Sequence, residues 1–190
     1  MRNVLCLLFV LAIPAHADWA LDNSGSRLSF VTIKAQDVAE VHTFETLSGS
    51  VTADGVATVS IELASVNTLI PIRDERMREI LFITDVFPTA TVSARLDVEK
   101  FQNLPVSTSS VLTTELLLSL GEAKLPVTAE LLVSRLAGDR ILVTSLKPII
   151  VNAGSVALAE GVEQLREIAG LPSISRAVPV SFVLQFIPAQ

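Results

Sequence analysis

Residues 65–88 read SVNTLIPIRDERMREILFITDVFP, and no other stretch constrains the architecture as strongly. The chain alternates apolar and polar residues on both sides of it. Within it, the segment 73–82 places acidic residues before basic ones, the order that a helix dipole favours. Met77, Ile80 and Leu81 recur at three- and four-residue spacing and form an apolar stripe. A short helix inserted between strands predicts a β-barrel with a helical flap, an architecture suited to sheltering an apolar molecule.

Alternation with a period of two dominates the rest of the chain and predicts strands that bury one face. The clearest such stretches are 57–64, 90–99, 112–120, 127–133 and 178–186. Weaker candidates are 27–34, 47–53 and 140–147. Asp54-Gly55 and Gly138-Asp139 supply turn residues between neighbouring strands, and links this short imply antiparallel pairing.

A second helix is predicted over 158–169, LAEGVEQLREIA, because Val162 and Leu165 share one side and Gly170 and Pro172 follow as stop signals. About eight one-sided strands with two short helices predict an all-β fold, a closed antiparallel barrel or a sandwich. Closure would remove the exposed edges that long alternating strands otherwise present.

The N-terminus has the features of a cleavable secretory signal peptide over residues 1–17. Arg2 precedes an uncharged apolar run of about ten residues, too short to span a bilayer, and Ala15-His16-Ala17 follows as a cleavage pattern. We expect a single mature domain over 18–190. Cleavage would remove Cys6, the only cysteine, and an exported chain without disulfides suits the periplasm.

The negative net charge of the chain indicates which kinds of partner it disfavours. The chain carries a net charge of −6, and without Arg2 the mature protein would hold 13 basic against 20 acidic residues, a net charge of −7. A surface of this sign repels phosphate backbones and anionic bilayers, so we expect no nucleic-acid partner and no stable membrane insertion.

The residues needed for common catalytic and metal sites are missing, which predicts that the protein is not an enzyme and has no metal or other cofactor. The mature chain would hold one histidine, His42, interpreted as lying at the surface or the barrel mouth, and no cysteine. There is no nucleophile elbow and no glycine-rich phosphate loop. Arg73 and Asp74 are interpreted as capping the flap helix and tying it to the barrel rim, and the alternative is a contact with a ligand's head group.

An ordered set of motifs resembles the YceI-like family of exported proteins. The motifs are SRLSF at 26–30, VHTF at 41–44, LSG at 47–49, SVNT at 65–68, RD at 73–74, MR at 77–78, Phe82 and FP at 87–88. The resemblance continues through the strands to Phe186. It implies a lipocalin-like antiparallel barrel whose elongated cavity holds an isoprenoid-type lipid, such as a polyprenyl lipid or a quinone.

We therefore expect a periplasmic binding or carrier protein for such a lipid. The candidate lining residues are Phe30, Val59, Ile61, Val92, Leu116, Leu118, Leu131, Phe182 and Leu184. The candidate gating residues under the flap are Phe44, Leu81, Phe82 and Phe87. A lipid-delivery protein or a membrane cytochrome is a candidate partner, and the oligomeric state stays open.

Two alternatives remain open on the residues alone. Eight strands leave an interior just wide enough either to be filled by side chains or to hold one slender ligand. A filled barrel would act as a structural or interaction protein, with an accessory role in a membrane redox system. An outer-membrane barrel is the other alternative, since alternation does not say whether the apolar face points in or out; a single Trp and no Tyr disfavour it.

Overall fold

A computed structural model of the chain describes residues 17–189, so the predicted signal peptide lies outside the described residues except for Ala17. Eleven strands form one sheet. They are β1 Ala17–Lys34, β2 Val38–Phe44, β3 Leu47–Thr52, β4 Val56–Glu62, β5 Val66–Asn67, β6 Thr89–Arg95, β7 Ser109–Leu120, β8 Ala123–Arg135, β9 Ile141–Ser145, β10 Ile149–Asn152 and β11 Ala177–Pro188.

The sheet closes on itself because β1 pairs with β11, the first strand with the last. Three walls of the barrel each consist of two short strands placed end to end. β2 and β3 both pair with β1 and form one such wall, and β4 and β5, which pair with β3 and β2, form the next. β9 and β10 both pair with β11 and form the third. Eight antiparallel walls result. The predicted all-β barrel is confirmed, and the sandwich is excluded.

The alternating apolar side chains point into the barrel. On β7, Leu116 is buried and lies between Glu115 and Leu117, which are exposed on the outside. On β1 a register shift after Asp22 precedes Leu28 and Phe30, which face inward and are buried. The direction that alternation alone left open is therefore inward.

The helical segments differ in part from those predicted. The flap consists of helix α1, Pro71–Arg76, continued by a wider π-helical segment, Met77–Phe82; helix α3 spans Ala159–Ile168. The predicted helix 73–82 thus begins earlier, because Pro71 is suited to a first helical turn, where its missing N–H is not needed. None of the helices within residues 17–189 combines the length and the hydropathy that crossing a bilayer requires.

One short helix was not predicted. Helix α2, Val98–Gln102, takes up the end of the stretch 90–99 that alternation assigned to a strand, and β6 stops at Arg95. Val98 points into the core and is 8% exposed, so it keeps the apolar pattern while the backbone changes from strand to helix. Five residues are too few to show a helical period.

Candidate binding cavity

The barrel interior is partly empty. An apolar cavity of about 520 Å³, the upper cavity, lies between the inner faces of the strands and the two helical regions, α1 with the π-helical segment and α3. An engineered apolar cavity of roughly 150 Å³ remains dry and binds benzene. The upper cavity is more than three times that size, so the barrel interior is not a filled core.

A second void of about 120 Å³, the lower cavity, lies further along the same interior. Five residues line both cavities, namely Leu28, Ile61, Val92, Leu116 and Phe182. These shared side chains form the boundary between the two cavities, which therefore adjoin each other inside the barrel.

Most of the residues predicted from alternation line the upper cavity. These are Phe30, Phe44, Ile61, Leu81, Phe82, Val92, Leu116, Leu118 and Phe182. Val59, Leu131 and Leu184 line only the lower cavity. Alternation identified the inward face correctly but carried no information on how far along the barrel axis a residue lies.

Phe87, expected to gate the mouth, lines neither cavity. Its ring lies beside Gly121, at the turn between β7 and β8; a Cβ built on Gly121 would sit 3.5 Å from Phe87 Cδ1. Ile83, in the left-handed conformation with φ +51°, ends the π-helical segment, and the backbone N–H groups of Val86 and Phe87 donate back to its carbonyl oxygen.

The helical regions contribute lining that alternation did not reveal. Met77 of the π-helical segment, and Val162 and Leu165 of α3, face the cavity, as do Ile70 and Ile72 at the start of the flap. The apolar stripe of each predicted helix was the available signal. Both helices are therefore walls of the cavity and not only a cover above it.

The two helical regions meet at a close backbone contact. Gly161 of α3 lies against the π-helical segment, where a built Cβ would be 3.0 Å from Leu81 Cα and 3.1 Å from the carbonyl oxygen of Ile80. Phe82 of the same segment packs on Phe44, with ring centroids 5.7 Å apart. Contacts to both α3 and the barrel hold the flap over the cavity.

Polarity rises along β1 and β2 towards one end of the upper cavity. Antiparallel pairing places Leu28 beside Phe44, Phe30 beside His42, and Thr32 beside Glu40. Lys34 follows at the end of β1, and all seven side chains line the cavity. The apolar end adjoins the lower cavity and the charged end is half-exposed, which defines the mouth.

His42 is buried, contrary to the expected surface or mouth position. It is 3% exposed, its ring meets that of Phe30 edge-on at 5.3 Å, and its Nε2 lies 2.9 Å from the Thr32 hydroxyl. Burial lowers the pKa of His42, and the positive charge of Arg73 lowers it further. The imidazole is therefore a neutral group of the cavity wall.

Glu40 joins two cations at the mouth. Its Oε2 lies 2.7 Å from Lys34 Nζ and 2.7 Å from Arg73 Nη1. The hydrogen bond from Lys34, more than that from Arg73, holds the pKa of Glu40 below its usual value. Arg73 also donates from Nη2 to the carbonyl of Thr68, at 2.7 Å. The interpretation of Arg73 as a tie between flap and rim is confirmed, whereas the predicted cap is wrong, because the helix begins at Ile70 as its N-cap residue with no side-chain capping hydrogen bond.

Asp74 anchors the start of the flap from the other side. Its Oδ1 accepts hydrogen bonds from the backbone N–H of Thr68, at 2.8 Å, and from the Thr68 hydroxyl, and Thr68 is 3% exposed. Across residues 17–189, no three or more His, Asp and Glu side chains lie close enough together to hold a metal ion.

Comparisons with known proteins agree with this geometry. The YceI-like domain matches residues 19–186. A polyisoprenoid binding domain from Saccharophagus degradans, implicated in plant cell wall breakdown, superposes with a TM-score of 0.90 at 36% identity, covering 92% of this chain and 100% of that one. BcnA of Burkholderia cenocepacia, at 16% identity, shares the fold with a TM-score of 0.66, covering 87% and 98%. No curated protein matches the chain.

Proposed function

Because this chain belongs to the YceI-like family, we propose that it is a periplasmic carrier for an isoprenoid-type lipid, a polyprenyl lipid or a quinone, held in the barrel. The observation that carries the proposal is the upper cavity, about 520 Å³ of space walled almost entirely by apolar side chains. The Saccharophagus degradans domain, with 36% identity over nearly the whole chain, is a polyisoprenoid binder and supports the ligand class.

The size of the cavity suits a long apolar tail. Scaling from the roughly 150 Å³ cavity that holds one benzene ring, the upper cavity of about 520 Å³ has room for roughly 20 carbon atoms. Moving each CH₂ from water into such a site gains about 0.8 kcal/mol. The transfer of a tail of this length from water into the cavity is therefore strongly favourable.

The same energetics favour transport over permanent storage. A bilayer interior is about as apolar as the cavity, so the free energy of transfer between membrane and protein is close to balance. We propose that the lipid is loaded and unloaded at membranes with the help of a lipid-delivery protein or a membrane cytochrome, and that the protein itself catalyses no reaction. The signal peptide predicted over residues 1–17 supports the periplasmic location.

The alternative of a structural or interaction protein requires a barrel filled by its own side chains. The void under the flap argues against it, since close-packed protein interiors contain few spaces larger than a water molecule.

Native mass spectrometry of protein purified from the periplasm, followed by solvent extraction, tests the proposal. We expect a discrete extra mass that extracts as a prenyl lipid. Protein that carries no ligand and also refuses added prenyl alcohols and quinones would contradict it.

A matched pair of variants on β7 tests the site. Leu118 lines the upper cavity, whereas its neighbour Leu117 points outward and is 37% exposed. Leu118→Trp should displace two or more methylenes of the ligand, at roughly 0.8 kcal/mol each, and weaken lipid binding at least about tenfold. Leu117→Trp should leave binding unchanged, and equal losses in both variants would argue against this location.

A further inference from the structure

We propose that Lys34, Arg73 and Arg76 at the mouth of the upper cavity bind an anionic head group, a phosphate or a carboxylate, on the lipid whose tail fills the cavity. This inference rests on the proposed function, because it assumes that an apolar tail occupies the barrel. It narrows the ligand from any isoprenoid-type lipid to an acidic amphiphile.

The first argument is a local reversal of charge. The chain as a whole is at −6, yet the charged side chains that line the cavity are three cations and one carboxylate, Glu40. Adding Asp74, which lies beside the mouth and bonds to Thr68, still leaves a positive balance. Positive charge at the mouth of an apolar cavity in an acidic protein favours a ligand with negative charge at one end.

The second argument is that Glu40 does not neutralise its neighbours. One carboxylate oxygen of Glu40 is shared between Lys34 and Arg73, at 2.7 Å from each. Arg76 forms no ion pair with any residue in the range 17–189. The Lys34 and Arg73 side chains are 27% and 25% exposed, so both are accessible to a head group at the mouth.

The third argument is a shortage of acceptors. Arg73 Nε and His42 Nδ1 are buried without a hydrogen-bond partner among residues 17–189. A guanidinium nitrogen only donates, and His42 Nδ1 donates when Nε2 accepts from Thr32. Both atoms are covered by neighbouring protein atoms, so a head group would reach them through rotation of these side chains. The oxygens of a phosphate or carboxylate would supply the missing acceptors, which an alcohol does only poorly.

The order of polarity along β1 and β2 determines how such a lipid would be oriented. Leu28 and Phe44 lie deepest, His42 and Thr32 come next, and Lys34 lies at the mouth. The tail would therefore lie inward and the head group would stay at the half-exposed end, where an ion pair does not require complete removal from water.

Competition between lipids with one tail and different heads tests the inference. Delipidated protein is offered equal amounts of geranylgeranyl monophosphate and geranylgeraniol, whose tails of about 20 carbons match the cavity volume, and the bound ratio is read by native mass spectrometry. We expect at least about tenfold preference for the phosphate, decreasing as added salt screens the half-exposed cations. Geranylgeranoic acid in a parallel competition distinguishes a phosphate site from a carboxylate site.

Variants test whether the cations at the mouth cause the preference for the phosphate over the alcohol. The double variant Lys34→Gln with Arg76→Gln should lose most of the preference for the phosphate over the alcohol. Arg78→Gln is the matched control, because Arg78 belongs to the same flap but does not line the cavity, and it should keep the preference. Equal binding of both lipids by the unmodified protein, or an unchanged preference in the double variant, would overturn the inference alone. Binding of neither lipid would overturn the proposed function and this inference with it.

Discussion

The two ends of the barrel share the same alternating walls but are closed in different ways. At the lower end Trp19, Phe186 and Phe101 of helix α2 are among the residues that line a void of only about 120 Å³. At the upper end helical segments cross the opening, and about 520 Å³ remains beneath them. The difference in volume thus accompanies a difference in what closes each end, since one five-residue helix lies at the lower end and the flap and α3 lie at the upper end.

The two ends of the barrel also differ in their backbone contacts. Near the lower end Gly55, with φ +84°, lies so close to the Leu96 carbonyl that no side chain would fit, and Trp19 Nε1 donates to the Asp139 carbonyl at 3.1 Å. At the upper end the corresponding close approach, at Gly161, joins one helical region to the other. At the lower end these contacts join strands of the sheet and the loops between them, whereas at the upper end the close contact joins the flap to α3.

The largest expected effect is on stability at the lower end. Leu131 is 5% exposed and lines only the lower cavity, so Leu131→Ala should lower the free energy of unfolding by about 3 kcal/mol. Leu118 already faces the larger void, and Leu118→Ala should cost roughly 2 kcal/mol, the lower end of the usual range, because less close contact is lost. Urea unfolding of delipidated protein measures both, and equal losses would remove the distinction between the ends.

A smaller effect is expected where the flap meets α3. In Gly161→Ala the new methyl group would lie 3.0 Å from Leu81 Cα, so the two helical regions must move apart by a few tenths of an ångström. We expect faster release of bound lipid to acceptor vesicles with little change in unfolding by urea. Glu160→Ala, at an exposed neighbouring position, is the control. Unchanged release, or a loss of stability as large as in Leu131→Ala, would argue against a separately closing upper end.

The smallest effect is a pH dependence from the upper end. Because burial lowers the pKa of His42 below its usual 6.5, the unfolded chain takes up the proton first as the pH falls. Stability that is complete above pH 6.5 is then lost as the pH decreases through the lowered pKa. The pKa of Glu40 is lowered from 4.5, so its contribution is lost only in more acidic solution.

Unfolding curves between about pH 7.5 and about pH 5.5 isolate the histidine. The unmodified protein should lose stability over this range, and His42→Gln should show a flatter dependence, whatever its absolute stability. An equal slope in the variant would show that other groups are responsible.

Much of the wall could be predicted from the sequence, because one-sided burial leaves a period of two in any strand. Ile61, Leu116 and Phe182 were placed on the inner face for this reason, and they line the cavity. Phe87 was not placed correctly, because its position depends on how the chain turns after Ile83. His42 was misjudged because the strand pairing beside Phe30, and not the residue type, buries it.

The sequence by itself determined antiparallel strands that are apolar on one face and the position of the flap between two of them, since these follow from periodicity and turn residues within short stretches. Closure of the sheet into a barrel with the apolar face inward was decided by the tertiary structure. Tertiary structure alone decided that a large void remains at one end and that Lys34, Glu40 and Arg73 meet at its mouth. The physical reason is that alternation specifies which face a residue occupies, whereas depth along the barrel and contacts between distant segments arise only when the sheet closes.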